Sequence, residues 1–441
     1  METRSTTQSK PYVVISSDNH AGADLYGYKP YLEKQWHDDF EDWAKHYSNP
    51  WVFLDPRVPD EGQAEEDLIL VAASSWHSPL NWDSAKRTRH MERDGVVAEV
   101  LFPNTAPPFM PTSVLAGTVP KTRQEYERRW AGLRAHNRWL LDFCAECPGR
   151  RAGVAQVMLY DIEDAVHEVR ALRAAGLTGG VLLPMDGVEG ASVTFHSRDY
   201  EPLWAACEDL GVPVHKHASE PTADPDSSRP DLIAIGMAEY AFFNHRALAH
   251  LIFSGVFERH PKLRFVLTET GSGWVPQHLT ALDGIYTTGK ANAQGTLKPI
   301  LAAAMEPLTM LPSEYFARNC YLGASLLLRA EAEQRYEIGL DRIMWGVDYP
   351  HAEGCFPYSR EAMRFTFAGV PEPEVRMMLS ETAAKVYEFD LDHLQTHADR
   401  VGPTVAELAE PLLEFPRVPE DTYSAVFDRG MDSSNPLLET K

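Results

Sequence analysis

Basic side chains are scarce. Lys and Arg number 41 against 64 Asp and Glu, a formal charge of -23 over 441 residues. That balance opposes nonspecific attachment to nucleic acid or to an anionic membrane. It leaves a small anionic substrate open, because a bound metal reverses the local field. Cysteine is scarce too. Five cysteines in so long a chain make no disulfide framework, and this usage fits a cytoplasmic location. Cys144 and Cys147 form a lone Cys-x-x-Cys with no second pair to complete a zinc set. Following Trp139-Leu140-Leu141 in a helical pattern, they are expected to share a buried helix face. No apolar run is long enough to span a bilayer, and Met1-Glu2-Thr3-Arg4-Ser5 leads into no signal-type segment. A Gly-x-Ser-x-Gly elbow is missing, and so is a complete phosphate loop, since the Gly-x-x-x-x-Gly-Lys of Gly284 to Lys290 is followed by Ala291 rather than Ser or Thr. His167-Glu168 begins a zinc-protease pattern, but Ala171 stands where its second histidine belongs, so this stretch reads as an exposed helix edge.

Apolar side chains are plentiful. At 44% hydrophobic content the chain can bury a large core. Eight short β-rich runs alternate with longer helical stretches: Val13 to His20, Val96 to Pro103, Gly153 to Leu159, Gly180 to Pro184, Val212 to His217, Phe265 to Thr270, Cys320 to Ala324 and Ile343 to Asp348. Between them, Ile162, Ala165, Val166, Val169 and Leu172 mark one side of a helix. Tyr200, Leu203, Trp204 and Cys207 mark another, which ends near Gly211. Strand-then-helix order predicts a parallel sheet, and eight units predict closure into a (β/α)8 barrel. Residues 1–390 form that barrel in this reading. The stretch 21–95 is an insertion after the first strand, holding Trp36, Trp43, Trp51, Trp76 and Trp82, and is expected on the catalytic face as a lid or a small satellite. Residues 391–441 read as a Pro-rich, acidic C-terminal extension with one helix from Val405 to Phe415, wrapping the barrel or a neighbouring subunit. A homo-oligomer is expected.

Barrel enzymes place their chemistry at the C-terminal ends of strands. Here strand one ends Asp18-Asn19-His20, strand five His215-Lys216-His217, strand six Glu269-Thr270-Gly271 and strand eight Asp348-Tyr349-Pro350-His351. Period-two geometry turns Asp18 and His20 to one side, and likewise His215 and His217. A lone strand-end Asp is more often a cap or turn residue. The convergence on one axis is what points to a metal site of Asp18, His20, His217, Glu269 and Asp348. Imidazole with carboxylate suits zinc, manganese or iron. The extra donors leave room for one or two ions, with His215 and His351 as second-metal or supporting groups. For His215 the better reading is a core residue one layer down the barrel. Phe102, Trp274 and Phe356 lie at or beside strand ends and suggest an apolar or ring-containing small-molecule substrate.

These motifs, with Leu101-Phe102-Pro103, Gly255-Val256-Phe257-Glu258-Arg259-His260-Pro261 and Trp345-Gly346-Val347-Asp348-Tyr349-Pro350-His351, resemble the amidohydrolase-related family. The match lies in its aminocarboxymuconate-semialdehyde decarboxylase-like branch of decarboxylases, hydratases and hydrolases, and spans roughly residues 12–390. The resemblance implies a distorted barrel and a catalytic divalent metal. It makes His20 the second ligand of the strand-one pair, His217 the strand-five ligand and Asp348 the strand-eight carboxylate. Two positions depart from the pattern. Asp18 stands where the family often has His, and Glu269 replaces a strand-six histidine that is an acid/base group in the decarboxylases. The carboxylate-rich shell is also similar to that of a diiron thioesterase type in the superfamily.

Because of Glu269, the sequence favours a metal-dependent hydrolase that attacks an acyl bond (ester, thioester or amide) with metal-activated water, Asp348 moving the proton. The alternative is a nonoxidative decarboxylase of an aromatic or unsaturated acid, for which Lys216 and Arg246 are weak candidates for a carboxylate clamp. A noncatalytic barrel with a structural metal is the third class.

Overall fold

Eight parallel strands follow one another around the molecule in chain order. They are β1 (Ile15–Ala21), β2 (Ala98–Pro103), β3 (Arg151–Gln156), β4 (Gly180–Leu182), β5 (Val214–His217), β6 (Phe265–Thr268), β7 (Cys320–Ser325) and β8 (Ile343–Gly346). The computed structural model describes residues 9–47, 78–110, 119–184, 194–218, 231, 235, 242–291, 298–351, 353–416 and 425–427. The expected (β/α)8 barrel is present, and each of the eight expected runs overlaps one of its strands.

Strand side chains alternate between two cores, as period-two geometry requires. Ile15, Val100, Phe102, Val154, Val266 and Met344 fill the barrel interior. Val14, Leu101, Val181, Val214, Leu267 and Trp345 pack outward. The surrounding helices include α1 (His37–Ala44), α2 (Ser84–Arg93), α3 (Arg123–Ala145), α4 (Ile162–Ala174), α5 (Glu201–Leu210), α6 (Phe242–Phe253), α7 (Val275–Ala291), α8 (Ser359–Phe367) and α9 (Leu391–Val401). In α4, Ala165, Val169 and Leu172 are buried, and Asp161 caps the first turn through the N–H groups of Glu163 and Asp164. Glu168 of that helix is buried and accepts a bond from Asn137 Nδ2 at 2.9 Å, which corrects its reading as an exposed edge. Helix α5 stops at Gly211, whose φ of 63° is the left-handed C-cap conformation that glycine adopts without penalty.

Closure between β8 and β1 differs from the other seven seams. Backbone bonds join Asp348 N to Asp18 O at 2.8 Å and His20 N to Tyr349 O at 2.6 Å, beyond the end of β8. Below them hydroxyls do the joining. Ser16 Oγ accepts from Val347 N at 2.9 Å, and Ser17 Oγ lies 3.0 Å from the carbonyls of Met344 and Trp345. The pairing of β1 with β2 also slips between Ser16 and Asn19, a bulge that re-aims the end of the strand.

Beyond the barrel, α9 buries Leu394 and Ala398, an element that the sequence pattern did not single out. The helix expected from Val405 to Phe415 spans only Val405–Ala409. Pro411 disfavours helical backbone at Glu410, which is extended. Tyr12 N bonds Pro403 O at 2.9 Å, so this segment lies against the first strand's approach. In the insertion, Trp36 and Trp43 gather with Phe40 around Phe109, and Trp82 packs half-buried on the main core. Trp51 and Trp76 lie outside the described residues.

Candidate metal centre

Four strand ends deliver the donors to one buried point. Asp18 and His20 come from β1, His217 ends β5, Glu269 follows β6 and Asp348 follows β8. Both of the last two residues adopt the left-handed backbone conformation, at φ 58° and 63°. Such conformations cost side-chain-bearing residues energy and cluster where a site needs an unusual side-chain direction. Gly346 permits the approach of β8, since a Cβ there would come within 3.0 Å of Asp18 Cβ.

His20 Nε2 lies 3.0 Å from Asp348 Oδ1 and 3.5 Å from Asp18 Oδ1. His217 Nε2 is 3.3 Å from the same Asp18 oxygen, while its Nδ1 is 3.1 Å from Glu269 Oε2. His351 stacks on His20 with ring centroids 4.0 Å apart and sets Nδ1 3.0 Å from Asp348 Oδ1. Its Nε2 is 3.1 Å from Asn104 Oδ1. Donor atoms of Asp18, His20, His217 and Glu269 all fall within 4.8 Å of one another, as do those of His20, Asp348 and His351.

The electrostatics are unbalanced without a cation. Burial lowers His20 to about 4, with His351 adding to the effect. Burial would also lower His217, but the flanking charges of Asp18 and Glu269 outweigh it and raise this group to about 9. Burial likewise opposes charge on His351, and Asp348 overcomes it, to about 10. Glu269 is pushed up to about 8 by burial and by the charge of Asp348. Asp348 is driven well below the usual carboxylate range, burial being outweighed by His351 and His20.

Both carboxylate oxygens of Asp348 and Nε2 of His20 are buried and lack an aligned hydrogen bond among the described residues. Unsatisfied buried groups of this kind are costly. A mixed imidazole–carboxylate set with orphaned acceptors fits a divalent transition metal such as manganese, iron or zinc.

The other expected residues divide. Phe102 is fully buried beneath the centre, 4.6 Å from the His217 ring and 5.2 Å from His215. His215 points down the barrel, with Nε2 2.8 Å from Gly179 O and its ring stacked on Tyr387. It is not among the clustered donors. Lys216, also buried, alternates to the face opposite His217, and Arg246 lies on α6. Trp274 donates Nε1 to Gly271 O at 3.0 Å and packs on His245. Phe356 stacks on His90 and meets Tyr349 edge-on.

Three neighbours of the centre went unnoticed in the sequence. Ser325 bonds Asp18 Oδ2, Asn104 meets His351, and Glu353 comes within donor range of Glu269, Asp348 and His351. Ser325 ends β7, so a rule that inspects all eight strand ends would have found it. Asn104 directly follows β2, so the same rule reaches it, whereas Glu353 lies further along the loop after β8 and left no signal.

Comparison with known proteins places the chain. It is 28% identical to gamma-resorcylate decarboxylase from Rhodococcus jostii over 280 residues, covering 60% of this chain and 79% of the relative. The structure of 5-carboxyvanillate decarboxylase from Sphingomonas paucimobilis superposes with a TM-score of 0.58 at 18% identity, over 86% of this chain and all of that one (100%). A dihydroxybenzoic acid decarboxylase from Polaromonas, solved with manganese and the inhibitor 2-nitroresorcinol, gives a TM-score of 0.57 at 19% identity, over 86% of this chain and 97% of that one.

These relatives overturn the expected acyl hydrolase and its thioesterase variant. Glu269 in place of a histidine misled that reading, because replacing one proton-carrying side chain by another does not fix the reaction. The amidohydrolase family model matches residues 89–389, more than half of the sequence, and the chain belongs to that family.

Proposed function

We propose that the protein is a metal-dependent nonoxidative decarboxylase of a small aromatic carboxylic acid. The observation that carries this reading is the similarity to gamma-resorcylate decarboxylases, on a barrel whose strand ends gather the donor cluster. In this reading Asp18, His20, His217 and Asp348 hold the ion. A divalent ion bound there supplies positive charge that neutralises an anionic substrate and takes up charge developing on its oxygens.

The chain's own residues perform the rest. Decarboxylation of an aromatic acid needs a proton delivered to the ring carbon that bears the carboxylate. The bond to the carboxylate carbon then breaks, its electron pair returns to the ring, and CO2 leaves. Glu269 suits the donor role. Its side chain is 17% exposed, whereas those of Asp18 and Asp348 are 0% exposed, so of these three carboxylates it lies nearest the mouth. Burial and the charge of Asp348 raise its proton affinity, and a bound cation would draw that affinity back toward the range where an acid works best. His351, held to Asn104, orients Asp348 from the far side. Phe102 closes the floor against water from the barrel interior. The insertion 21–95, in this reading, governs access to the mouth.

The test uses manganese-loaded protein with 2,6-dihydroxybenzoate and 5-carboxyvanillate in D2O. Stoichiometric CO2, with one deuterium at the vacated ring carbon, is the expected result. Turnover that consumes water and releases no CO2 would overturn the proposal.

A further inference from the structure

Buried behind the metal centre is a second charged group that touches no donor side chain. Arg87 of α2 is 0% exposed. Its Nε lies 2.9 Å from both carboxylate oxygens of Glu99, and its Nη1 donates to the backbone carbonyl of His20 at 2.6 Å and to Leu80 O at 3.2 Å. The guanidinium also sits over the ring of Tyr349, 4.7 Å from its centroid. Tyr349 directly follows Asp348, and its carbonyl accepts from His20 N at 2.6 Å. One side chain therefore grips both strand ends that meet at the barrel's seam.

The strand it grips is irregular. Ser16 pairs with Glu99 and Asn19 with Leu101, so Ser17 and Asp18 together oppose Val100 alone. A bulge of this kind sets side-chain direction only if something fixes it. Asn19 does so locally. Its Nδ2 donates to Glu99 Oε2 at 2.8 Å, and its Oδ1 accepts from Tyr349 N at 3.0 Å and from Ser16 Oγ at 2.9 Å. Glu99 anchors Asn19, and Arg87 anchors Glu99.

We infer that Arg87 is a positioning residue for the metal centre: braced by Glu99, it fixes the bulged end of β1 and the start of the β8 loop, and so sets where His20 and Asp348 stand. The ordinary alternative is a buried ion pair that only stabilises the fold. Arg151 separates the two. It also bonds Glu99, at 3.1 Å, but its other contacts are with Ser84 (Oγ and O) and Phe143 (O and ring), neither of which is a donor residue. The inference rests on the metal-binding part of the proposed function and not on decarboxylation.

The test titrates Mn2+ into metal-free wild type, Arg87→Lys, Glu99→Gln and Arg151→Lys, with free Mn2+ read by electron paramagnetic resonance. Lysine keeps the charge but cannot reach Glu99 and the His20 carbonyl together, because its ammonium is a single point rather than a fork. The Mn2+ Kd of Arg87→Lys should rise roughly 10–100-fold, the usual effect of removing a partner that orients metal ligands. Glu99→Gln should follow in the same direction. Arg151→Lys should lower the Tm yet bind Mn2+ close to the wild-type affinity. Wild-type affinity in Arg87→Lys, or a loss in Arg151→Lys equal to that in Arg87→Lys, would overturn the inference. Should Arg87→Lys fail to fold, wild-type affinity in Glu99→Gln would overturn it instead. A wild type that binds no Mn2+ would remove the metal centre itself, a failure separate from these.

Discussion

At the scale of single residues, the centre turns on how Asp18, Glu269 and Asp348 share one buried space. Asp18 is tied by Ser325 and two imidazoles, and Asp348 by His20 and His351. Glu269 has only His217 among the described ion pairs, and burial together with the charge of Asp348 raises its proton affinity. A ligand and a proton carrier respond differently to loss of charge. If Glu269 carries the proton, Glu269→Gln keeps the shape and leaves metal content intact. Turnover then falls roughly 10²–10⁴-fold, the usual share of general acid catalysis, with the loss in kcat rather than KM. Metal analysis beside steady-state kinetics checks this, and a matching fall in manganese content would return Glu269 to the ligand set. The sequence made this residue visible as a strand-end donor. It did not disclose the role, because proton affinity depends on the separation from Asp348 and on burial, neither of which local sequence encodes.

Secondary elements carry the next level of constraint. Helix α2 ends at Asp94, a buried carboxyl at a helix C-terminus, where negative charge also opposes the helix dipole. Burial raises it to about 7 from the ordinary value of 3.8, despite the bond from Ser359 N. The folded state therefore binds this proton more tightly than the unfolded chain does. Stability from this group is fully present below the unfolded value and is lost as pH rises through about 7. Asp94→Asn lacks that loss, so its stability advantage over wild type should grow by roughly 2–3 kcal/mol between pH 5 and pH 8, by the cost of about 1.36 kcal/mol per pKa unit. Urea unfolding at both pH values measures it, and an advantage independent of pH would disprove the assignment. Elements were also where the sequence was most readable. Apolar runs and 3.6-residue spacing depend on local burial, so eight strands and the helices at Ile162 and Glu201 emerge from pattern alone. The β1 bulge did not, because it is held by Glu99, Arg87 and Tyr349, which are distant in the chain. The shortened helix before Pro411 was readable in principle, and the periodicity of its apolar residues obscured it.

For the whole molecule, the location of the centre matters as much as its composition. Seven seams of the barrel are ladders of paired strands, whereas β8 meets β1 through a single bridge, two loop-level backbone bonds and serine hydroxyls. The donors of His20 and Asp348 flank that seam. An ion held between them would act as a clasp for the ring, with His217 of β5 reaching across from the opposite wall. Binding to the folded state alone stabilises it by about 2.7 kcal/mol when free ion is 100-fold above Kd. The gain should be uneven, because the ladders are already closed and the seam is not. Adding Mn2+ to metal-free protein should therefore raise the Tm and slow amide exchange chiefly in peptides covering β1, the end of β5 and residues 343–351. Exchange read by mass spectrometry checks the pattern. Protection spread evenly over all eight strands would mean that the ion stabilises the fold without clasping its seam. Slowing confined to β5 and the β6 loop would place it away from Asp348. The predicted pattern requires the ion to span the gap that the strands leave, so that the proposed catalytic site would also complete the barrel.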